Sequence, residues 1–369
     1  MKINRAIISG GGTGGHIFPA IAIADEIKKR NPDAEILFVG AMGRMEMEKV
    51  PAAGYDIEGL KIAGFQRKFT LSNLLLPFKI VGSLLKARRI IKSFKPQVVI
   101  GVGGYASGPT LKMATWLKVP TVIQEQNSFP GKTNKILAPK VSAICTAYEG
   151  LEKFFPEEKI TITGNPVRFD MVQIAGKKEA AATHFNLSLD KPVVLVVGGS
   201  LGARTLNETI LNHYDEISTS DFQLIWQCGK TNYGSIHEKI ESKASNSIKL
   251  LKFIDRMDYA YALADIIVSR SGAIAVSELS LVAKPTILVP SPNVAEDHQT
   301  KNAMALVSKN AAVLVKDVEA QNQLIDEVKA LIYNLDKQKE LSAELVSLAK
   351  PNATEDIVDI IENILSKND

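Results

Sequence analysis

The feature that most constrains the fold is a pattern that occurs twice: a short apolar strand runs into a glycine-rich loop, which opens a helical segment. The first copy is the predicted strand 6–9, the loop 10–15 and a helix from about 18 to 30. The second copy is the predicted strand 192–197, followed by the loop 198–203. The two loops start about 188 residues apart and share no sequence repeat. We therefore predict two domains of similar architecture.

Strands alternate with helical segments along both halves, which is typical of a parallel sheet covered by helices on both faces. Further strands are predicted at 36–39, 98–102, 121–123, 223–226, 266–269 and 286–289. The prediction is an α/β protein of two doubly wound, Rossmann-like domains, residues 1–166 and 167–350, facing a central cleft where ligands of such sheets bind. In the C-terminal segment 351–369, a helix from about 356 to 366 is expected to pack back on the first domain.

Composition excludes several classes of protein. The 369 residues are 46% hydrophobic and carry a formal net charge of +4, so the chain can bury a core, and its charge gives no reason to expect nucleic acid. Cys145, Cys228 and five scattered histidines have no disulfide or metal-ligand spacing, so no metal is expected. The sequence has no signal-peptide pattern and no stretch of 18 apolar residues. We therefore expect a cytoplasmic protein without a membrane span.

The charge is unevenly distributed. Segment 59–124 contains no Asp or Glu and carries +11, while the other 303 residues carry −7. A basic and apolar surface suits an anionic membrane, where each nearby cation contributes about 1 kcal/mol. The alternative is a core helix with a solvated basic face, because part of 79–92 has helical spacing. The long absence of acid favours membrane or polyanion contact. The membrane candidates are Leu75, Phe78, Lys79, Arg88, Arg89 and Trp116.

The first glycine loop fits the pattern G-x-G-x-x-G at residues 10, 12 and 15, which brings phosphates close to backbone N–H groups at a helix start. A dinucleotide site also needs an acidic residue at the end of the second strand. The sequence there is ILFVGAM, so a nicotinamide cofactor is not expected. His16 directly follows the loop and is either a general base or a histidine that only hydrogen-bonds the loop.

Polar groups that could hold other parts of a ligand follow later strands. Glycine loops at 103–108 and 198–203 join the first, and three such loops predict more than one phosphate group in the site. Glu278 is placed early in a helix, where its carboxylate either accepts hydrogen bonds from a ribose diol or faces solvent. Residues 297–302 bring amides and a carboxylate together, which suits sugar hydroxyls, although helix capping accounts equally well for Asp297.

Seven stretches of the chain together resemble the MurG family, the peptidoglycan N-acetylglucosaminyltransferases of glycosyltransferase family 28. They are GGTGGHIFP (11–19), GVGGYASGP (101–109), EQNSFPGKTNK (125–135), GNPVR (164–168), GGSLGA (198–203), SRSGAIAVSE (269–278) and HQTKNA (298–303). One such motif is weak evidence, but seven in order are highly specific. The one departure is Gln124, where that family often has a histidine before EQN.

The resemblance implies a two-domain GT-B fold in which the second domain binds UDP-N-acetylglucosamine (UDP-GlcNAc) and the first receives a lipid acceptor. The residues that match donor contacts of the family are Thr13, Gly14, Gly15, Asn127, Arg168, Ser200, Ile254, Ala273, Ile274, Glu278 and Gln299. The first-domain loops expected to face the acceptor pyrophosphate contain Gly11, Gly12, Gly103, Gly104 and Tyr105.

The reaction that the resemblance implies is an inverting single displacement. GlcNAc moves from UDP to the 4-hydroxyl of the N-acetylmuramoyl (MurNAc) pentapeptide of undecaprenyl-pyrophosphoryl lipid I, giving lipid II for peptidoglycan. His16 and Glu125 are both candidates for the base. Arg168 and the helix start after 198–203 would meet the leaving-group charge, so no cofactor is expected. The implied location is the cytoplasmic face of the bacterial inner membrane, with anionic lipids and other cell-wall synthesis or division proteins as partners.

Two other function classes stay open. A UDP-sugar 2-epimerase of the same architecture would use the same donor, but it needs no acceptor and no membrane-facing surface, so segment 59–124 argues against it. A non-catalytic protein that binds anionic lipid or a nucleotide sugar would explain the basic segment. It would leave the three glycine loops without a purpose.

Overall fold

A computed structural model describes residues 1–62, 76–199 and 201–367 of the chain. They form two compact units. Unit 1 consists of Met1–Val167 together with Lys350–Asp369, and unit 2 consists of Arg168–Ala349. Which unit receives the donor and which the acceptor stays a prediction.

Each unit contains one sheet whose strands are rich in Val, Ile and Leu, because strands covered on both faces bury side chains in both directions. The strands are β1 Arg5–Ser9, β2 Glu35–Ala41, β3 Asp56–Leu60, β4 Val98–Gly101, β5 Thr121–Glu125, β6 Ala143–Thr146, β7 Ile160–Ile162, β8 Val193–Val197, β9 Gln223–Gln227, β10 Ile248–Leu251, β11 Ile266–Ser269, β12 Thr286–Leu288 and β13 Val313–Leu314. Unit 1 has the order β3-β2-β1-β4-β5-β6-β7 and unit 2 the order β10-β9-β8-β11-β12-β13. Every pairing of these strands is parallel. The prediction of two doubly wound sheets is confirmed.

Helices connect successive strands and cover the sheets. They are α1 Gly14–Arg30, α2 Glu46–Ala52, α3 Leu76–Phe94, α4 Ser107–Trp116, α5 Lys132–Leu137, α6 Phe169–Val172, α7 Lys178–Phe185, α8 Arg204–Asn212, α9 Tyr214–Ser218, α10 Tyr233–Ile240, α11 Met257–Leu263, α12 Ala273–Val282, α13 His298–Val307, α14 Ala320–Ile332, α15 Leu335–Leu348 and α16 Ala353–Ser366. Short 3₁₀ turns lie at Ala138–Lys140, Leu151–Lys153, Glu157–Lys159, Glu241–Lys243, Ala295–Asp297 and Asp317–Glu319.

In unit 1 the sheet is covered on both faces. α1 and α16 contribute to one hydrophobic cluster, and α3, α4 and α5 contribute to another. The C-terminal helix α16 buries Ile357 and Ile361 within the first of these clusters. Arg30 at the end of α1 adds ion pairs to α16, with Asp359 at 2.5 Å and Glu362 at 3.2 Å. The last helix therefore completes the core of the unit that contains the start of the chain.

The strand order reverses between β1 and β4 in unit 1, and between β8 and β11 in unit 2. Ligands of open α/β sheets bind beside such a point, at the carboxyl ends of the strands. The glycine loops after β1 and β8 start there. The sequence predicts that α1 starts at about residue 18, after the glycines. The helix instead begins at Gly14, so His16 lies in its first turn.

Candidate functional site

A cavity of about 460 Å³ lies in unit 2 at the reversal of strand order. It is lined by the glycine loop after β8, the start of α8, the loop between β11 and α12, and residues Ser291, Gln299 and Asp317. This volume is within the range of about 300–1,000 Å³ that is typical of small-molecule sites. The amino ends of α8 and α12 bring N–H groups without intrahelical partners to such a cavity, and these groups favour an anionic ligand.

The glycine loop after β8 is shaped by close backbone contacts. The Gly202 N–H donates to the Gly199 carbonyl at 2.8 Å, which closes a turn. Gly202 has φ +80°, and a Cβ there would lie 2.0 Å from the Cys228 carbonyl oxygen. Only glycine fits this position without moving the neighbouring loop. Ser200, which the sequence predicts as a donor contact, lies outside the described residues.

Charged residues that the sequence analysis does not single out stabilise the walls of this cavity. Arg270, after β11, donates to Asp317 at 2.5 Å and to the Val289 carbonyl at 2.8 Å. The Thr205 hydroxyl of α8 donates to the other Asp317 oxygen at 2.9 Å. Arg270 and Asp317 are 47 residues apart in the sequence. No local motif indicates such a pair.

Gln299, which the sequence predicts as a donor contact, lines this cavity. Its side-chain carbonyl accepts from the Ser291 N–H at 2.8 Å, and its backbone carbonyl accepts from the Ser271 hydroxyl at 2.8 Å. These bonds hold the start of α13 against two strand-end loops. Asp297 precedes α13, and its carboxylate accepts from the Thr300 hydroxyl at 2.7 Å. It makes no side-chain cap to a backbone N–H.

Glu278 on α12 is half-buried beside a tyrosine rather than fully exposed on the helix surface. The Tyr261 hydroxyl donates to Glu278 Oε2 at 3.1 Å. Burial raises the pKa of Glu278 to about 7, while the Tyr261 hydrogen bond and the positive charge of Arg168 oppose that rise. Arg168 also pairs with Asp170, with Nη2 2.6 Å from the carboxylate. Arg168 and Glu278, the predicted diphosphate and ribose contacts, are therefore close enough in unit 2 for the charge of Arg168 to lower the pKa of Glu278.

The other predicted donor contacts of unit 2 are backbone positions. Ala273 and Ile274 form the first turn of α12, where helix N–H groups lack intrahelical partners. Ile254 is buried in the loop between β10 and α11, so its side chain serves the core and leaves the backbone as the group for recognition. These assignments stay predictions.

In unit 1 the two glycine loops pack against each other. A Cβ on Gly104 would lie 2.3 Å from the Gly11 carbonyl oxygen, and a Cβ on Gly103 would lie 2.8 Å from His16 Nε2. His16 Nδ1 lies 3.0 Å from the Gly11 carbonyl oxygen. Since a carbonyl only accepts, Nδ1 carries the hydrogen, and the neutral ring has its lone pair on Nε2. Tyr105, in the second loop, is exposed.

Glu46 is a buried residue of this site that the sequence analysis misses. Its carboxylate accepts from the Gly12 N–H at 2.8 Å and from the Ala41 N–H at 3.0 Å. The Gly12 N–H therefore points at Glu46, and the helix start at Thr13, Gly14 and Gly15 is the part of the loop left to meet a phosphate. The dinucleotide pattern places its ribose-binding acid at the end of β2, whereas Glu46 lies five residues after that strand.

Glu125, the second candidate base, is buried and holds a loop. Its carboxylate accepts from the N–H and the side-chain amide of Asn127 at 3.1 and 3.2 Å. It also accepts from the Gly131 N–H at 3.0 Å and from the Asn134 amide at 2.8 Å. Four donors stabilise the carboxylate where it is and compete with any substrate proton. The buried Gln124 beside it donates to Asn165 at 2.9 Å.

The predicted membrane surface lies on α3 and at the end of α4. α3 buries Ala87, Ile90 and Ile91 in the core of unit 1. Its opposite side exposes apolar residues beside cations, namely Lys79, Ile80, Val81, Leu85, Arg88 and Arg89, and Trp116 of the adjacent α4 is 76% exposed. Lys86 pairs with Glu58, just outside the acid-free segment, at 2.9 Å. Leu75 and the side chain of Phe78 lie outside the described residues.

The described residues contain neither a cluster of metal ligands nor a helix that could span a membrane. No three His, Cys, Asp or Glu side chains within them are arranged as metal ligands would be. No helix in the part of the chain that the structure describes has both the length and the apolar character needed to cross a bilayer.

Comparison with known families identifies the chain. The glycosyltransferase family 28 N-terminal domain matches residues 6–146, and the family 28 C-terminal domain matches residues 193–362. The chain belongs to glycosyltransferase family 28. Each match includes the strand-order reversal of one unit, although the N-terminal match ends before β7. The prediction of a family 28 glycosyltransferase is therefore confirmed.

Curated family 28 relatives match over essentially the whole chain. One from Flavobacterium psychrophilum is 53% identical and covers 98% of each chain, and one from Parabacteroides distasonis is 53% identical and covers 100% of each. Both are named UDP-N-acetylglucosamine--N-acetylmuramyl-(pentapeptide) pyrophosphoryl-undecaprenol N-acetylglucosamine transferase.

Solved structures show the same GT-B architecture. A crystal structure of MurG from Acinetobacter baumannii has a TM-score of 0.79 at 27% identity, covering 97% of this chain and 99% of that one. A UDP-GlcNAc 2-epimerase from Neisseria meningitidis has a TM-score of 0.66 at 16% identity, covering 97% of this chain and 99% of that one. The second likeness shows the fold alone, so architecture does not separate transferase from epimerase.

Proposed function

We propose that this chain transfers GlcNAc from UDP-GlcNAc to the 4-hydroxyl of MurNAc-pentapeptide on undecaprenyl pyrophosphate, with inversion at the anomeric carbon. The observation that carries the proposal is the 53% identity, over the full length of both chains, with relatives of that named activity. The geometry of each unit supports it, because unit 2 has an anion-favouring cavity and unit 1 has a histidine held in the tautomer that a base requires.

Unit 2 is the donor unit in this proposal. The diphosphate lies at the amino end of α8, where the helix N–H groups and Arg168 meet the charge that develops on UDP as the glycosidic bond breaks. Arg204, the first residue of α8 and part of the cavity lining, adds a cation that the sequence analysis does not single out. Glu278 accepts from the ribose hydroxyls, with Tyr261 fixing its orientation. Gln299 binds the sugar.

Unit 1 receives the acceptor, and His16 is the proposed base. With Nδ1–H donating to the Gly11 carbonyl, Nε2 is the ring nitrogen that takes the proton of the attacking hydroxyl. We favour His16 over Glu125, because the Glu125 carboxylate is already engaged by four donors of its own loop. Glu125 then shapes the loop that presents Asn127.

The proposal also includes peripheral binding to the cytoplasmic face of the inner membrane. The exposed face of α3 and Trp116 combine apolar and cationic groups, which is the composition that inserts into an anionic interface. Such binding brings the acceptor loops close to the leaflet that carries a lipid-linked sugar. Other cell-wall synthesis or division proteins are proposed partners at that surface.

The test is transfer of radiolabel from UDP-[¹⁴C]GlcNAc to a short-chain lipid I analogue by purified protein. We expect label in the lipid only when the acceptor is present. His16→Ala should lower kcat about 100-fold or more with a small change in donor affinity, because it removes proton transfer. Arg168→Ala should raise the KM for UDP-GlcNAc about tenfold, because it removes a charge-assisted contact.

The exposed histidine of α10 provides a control, since His237→Ala should transfer label at the wild-type rate. Near-normal turnover by folded His16→Ala would remove His16 from the reaction. Binding of UDP-GlcNAc without transfer, accompanied by formation of an epimeric UDP-sugar, would contradict the transferase and support the epimerase.

A further inference from the structure

Glu46 is a buried carboxylate that the proposed reaction does not use. It is the first residue of α2 and is 1% exposed. Its two oxygens accept from backbone N–H groups of different segments, Gly12 of the first glycine loop and Ala41 at the end of β2. A Cβ on Gly11 would lie 2.2 Å from the Glu46 carboxyl carbon, so the loop closes directly onto this side chain.

One peptide group joins Glu46 to His16. The N–H of Gly12 donates to Glu46 Oε2 at 2.8 Å. The carbonyl of Gly11, which belongs to the same peptide group, accepts from His16 Nδ1–H at 3.0 Å. The order of groups is therefore carboxylate, peptide N–H, peptide carbonyl and imidazole.

We propose that Glu46 is a positioning residue for His16 that acts through the Gly11–Gly12 peptide group. The inference rests on the proposed function, in which His16 is the base. A carboxylate that accepts from the N–H of a peptide polarises that peptide and makes its carbonyl a stronger acceptor, because hydrogen bonds in a chain reinforce one another. The strengthened carbonyl holds Nδ1–H, fixes the tautomer and stabilises the imidazolium that forms when Nε2 takes a proton.

Packing on the other side of the peptide keeps this arrangement in place. The second glycine loop approaches so closely that a Cβ on Gly104 would lie 2.9 Å from the Gly11 nitrogen and 2.3 Å from its oxygen. The Gly11–Gly12 peptide therefore has little room to flip. Glu46 on one side and Gly104 on the other set the direction of the carbonyl that His16 meets.

The other charged groups described on the elements around this peptide point elsewhere. On α2, Glu48 pairs with Lys49 at 3.3 Å, and both side chains are exposed. The glycine loop that follows β4 carries one ionisable side chain, Tyr105, which is exposed. Glu46 thus contacts the peptide group that His16 meets.

The first experiment tests whether Glu46 sets the tautomer of His16, independently of turnover. Selective ¹⁵N-histidine labelling and NMR of the full chain report the tautomer of His16, whose signals are assigned by their loss in His16→Ala. We expect wild type to show protonated Nδ1 and unprotonated Nε2 above the pH at which the ring titrates. Glu46→Gln keeps the side-chain volume but loses the charge and one of the two acceptor bonds. We expect a mixture of both tautomers and a titration midpoint moved to lower pH.

Kinetics of label transfer then test whether the coupling serves the reaction. We expect Glu46→Gln to lower kcat about 10- to 100-fold with little change in the KM for UDP-GlcNAc, the range found when outer hydrogen-bond partners of a functional histidine are removed. In the His16→Ala background, the same change should alter kcat by less than about twofold, because the residue through which it acts is gone. Glu46→Asp keeps the charge and should recover part of kcat.

Glu26→Gln is the matched control, since Glu26 is a buried carboxylate on α1 that is held by Arg30. It should leave the His16 tautomer unchanged. A folded Glu46→Gln with the wild-type tautomer, or an equal loss of kcat with and without His16, would overturn the inference. If His16→Ala itself turns over normally, the assignment of the base fails instead, and the NMR result alone decides whether Glu46 orients His16.

Discussion

At the scale of single residues, the carboxylates of Glu46, Glu125 and Glu278 have different roles; the first two are buried and the third is half-buried. Glu46 and Glu125 accept from backbone and amide donors and thereby fix loops. Glu278 instead lies beside the neutral hydroxyl of Tyr261, which donates a hydrogen bond but supplies no charge. Burial therefore raises the pKa of Glu278 to about 7. The proposed ribose acceptor is thus held in a position that destabilises its charged form.

This arrangement predicts how stability depends on pH. Because the pKa of Glu278 is higher in the folded state than in the unfolded state, folding takes up a proton between about pH 4.5 and 7. Its contribution to stability is full below about pH 4.5 and is lost as the pH rises through 7. Glu278→Gln removes that loss, so we expect the variant to be more stable than wild type at pH 8, by up to about 3 kcal/mol.

The measurement is thermal unfolding at pH 5 and pH 8. We expect a higher Tm for Glu278→Gln at pH 8, by several degrees, and a smaller difference at pH 5. The exposed change Glu241→Gln, also in unit 2, is the control. The variant should bind UDP-GlcNAc more weakly although it is more stable. Equal pH dependence in Glu278→Gln and wild type would contradict this reading of the site.

At the scale of secondary structure, the sequence predicts those strands and helices whose residues form a recognisable local pattern. Apolar runs close to glycine locate the central strands β1, β4, β8 and β11, because a buried parallel strand and its loop leave a signal within about ten residues. Short outer strands such as β7 and β13 are missed, since three or two residues give no readable periodicity. α1 begins four residues earlier than predicted, because glycines and a proline conceal its first turn.

The predicted site follows the same rule. His16, Arg168, Glu278 and Gln299 lie in or next to motifs, so the sequence alone is enough to propose them. Glu46, Tyr261 and the Arg270–Asp317 pair meet their partners only through the fold, 34, 17 and 47 residues away respectively. The chemistry of each side chain is visible in the sequence, but its partner is not.

Helix α3 leads to a prediction about membranes. Its inner face is anchored in the core by Ala87 and Ile91, while Leu85, with 62% of its surface exposed, lies among cations. We expect Leu85→Glu to lower affinity for phosphatidylglycerol-containing vesicles about tenfold, because it replaces an inserting apolar group with a charge that such a surface repels. Vesicle sedimentation at low and at physiological salt measures the effect, and binding should weaken with salt.

Val346 on α15 of unit 2 provides the matched control, because it is also 62% exposed. Val346→Glu should bind vesicles like wild type. An equal loss in both variants would indicate a general effect of added negative charge. No loss in either would mean that α3 is a solvated helix of unit 1 and would contradict the proposed membrane surface.

At the scale of the whole molecule, two units with the same strand order carry different side chains at the reversal of their sheets. Unit 1 presents a histidine and loops whose glycines pack on one another. Unit 2 presents a cavity with helix amino ends and, on α12, the half-buried Glu278. A UDP-GlcNAc 2-epimerase with 16% identity has the same fold. The fold therefore does not determine the reaction, which depends on the side chains at these two sites.

The most direct test of the proposed transfer follows the anomeric carbon itself. Purified protein is mixed with UDP-[1-¹³C]GlcNAc, with and without a short-chain lipid I analogue, and the reaction is followed by ¹³C NMR. We expect the donor signal to be replaced by a single β-glycosidic signal, and only when the acceptor is present. An α-linked product would contradict the inverting displacement. Conversion to an epimeric UDP-sugar without acceptor, or no reaction of bound donor, would contradict the transferase.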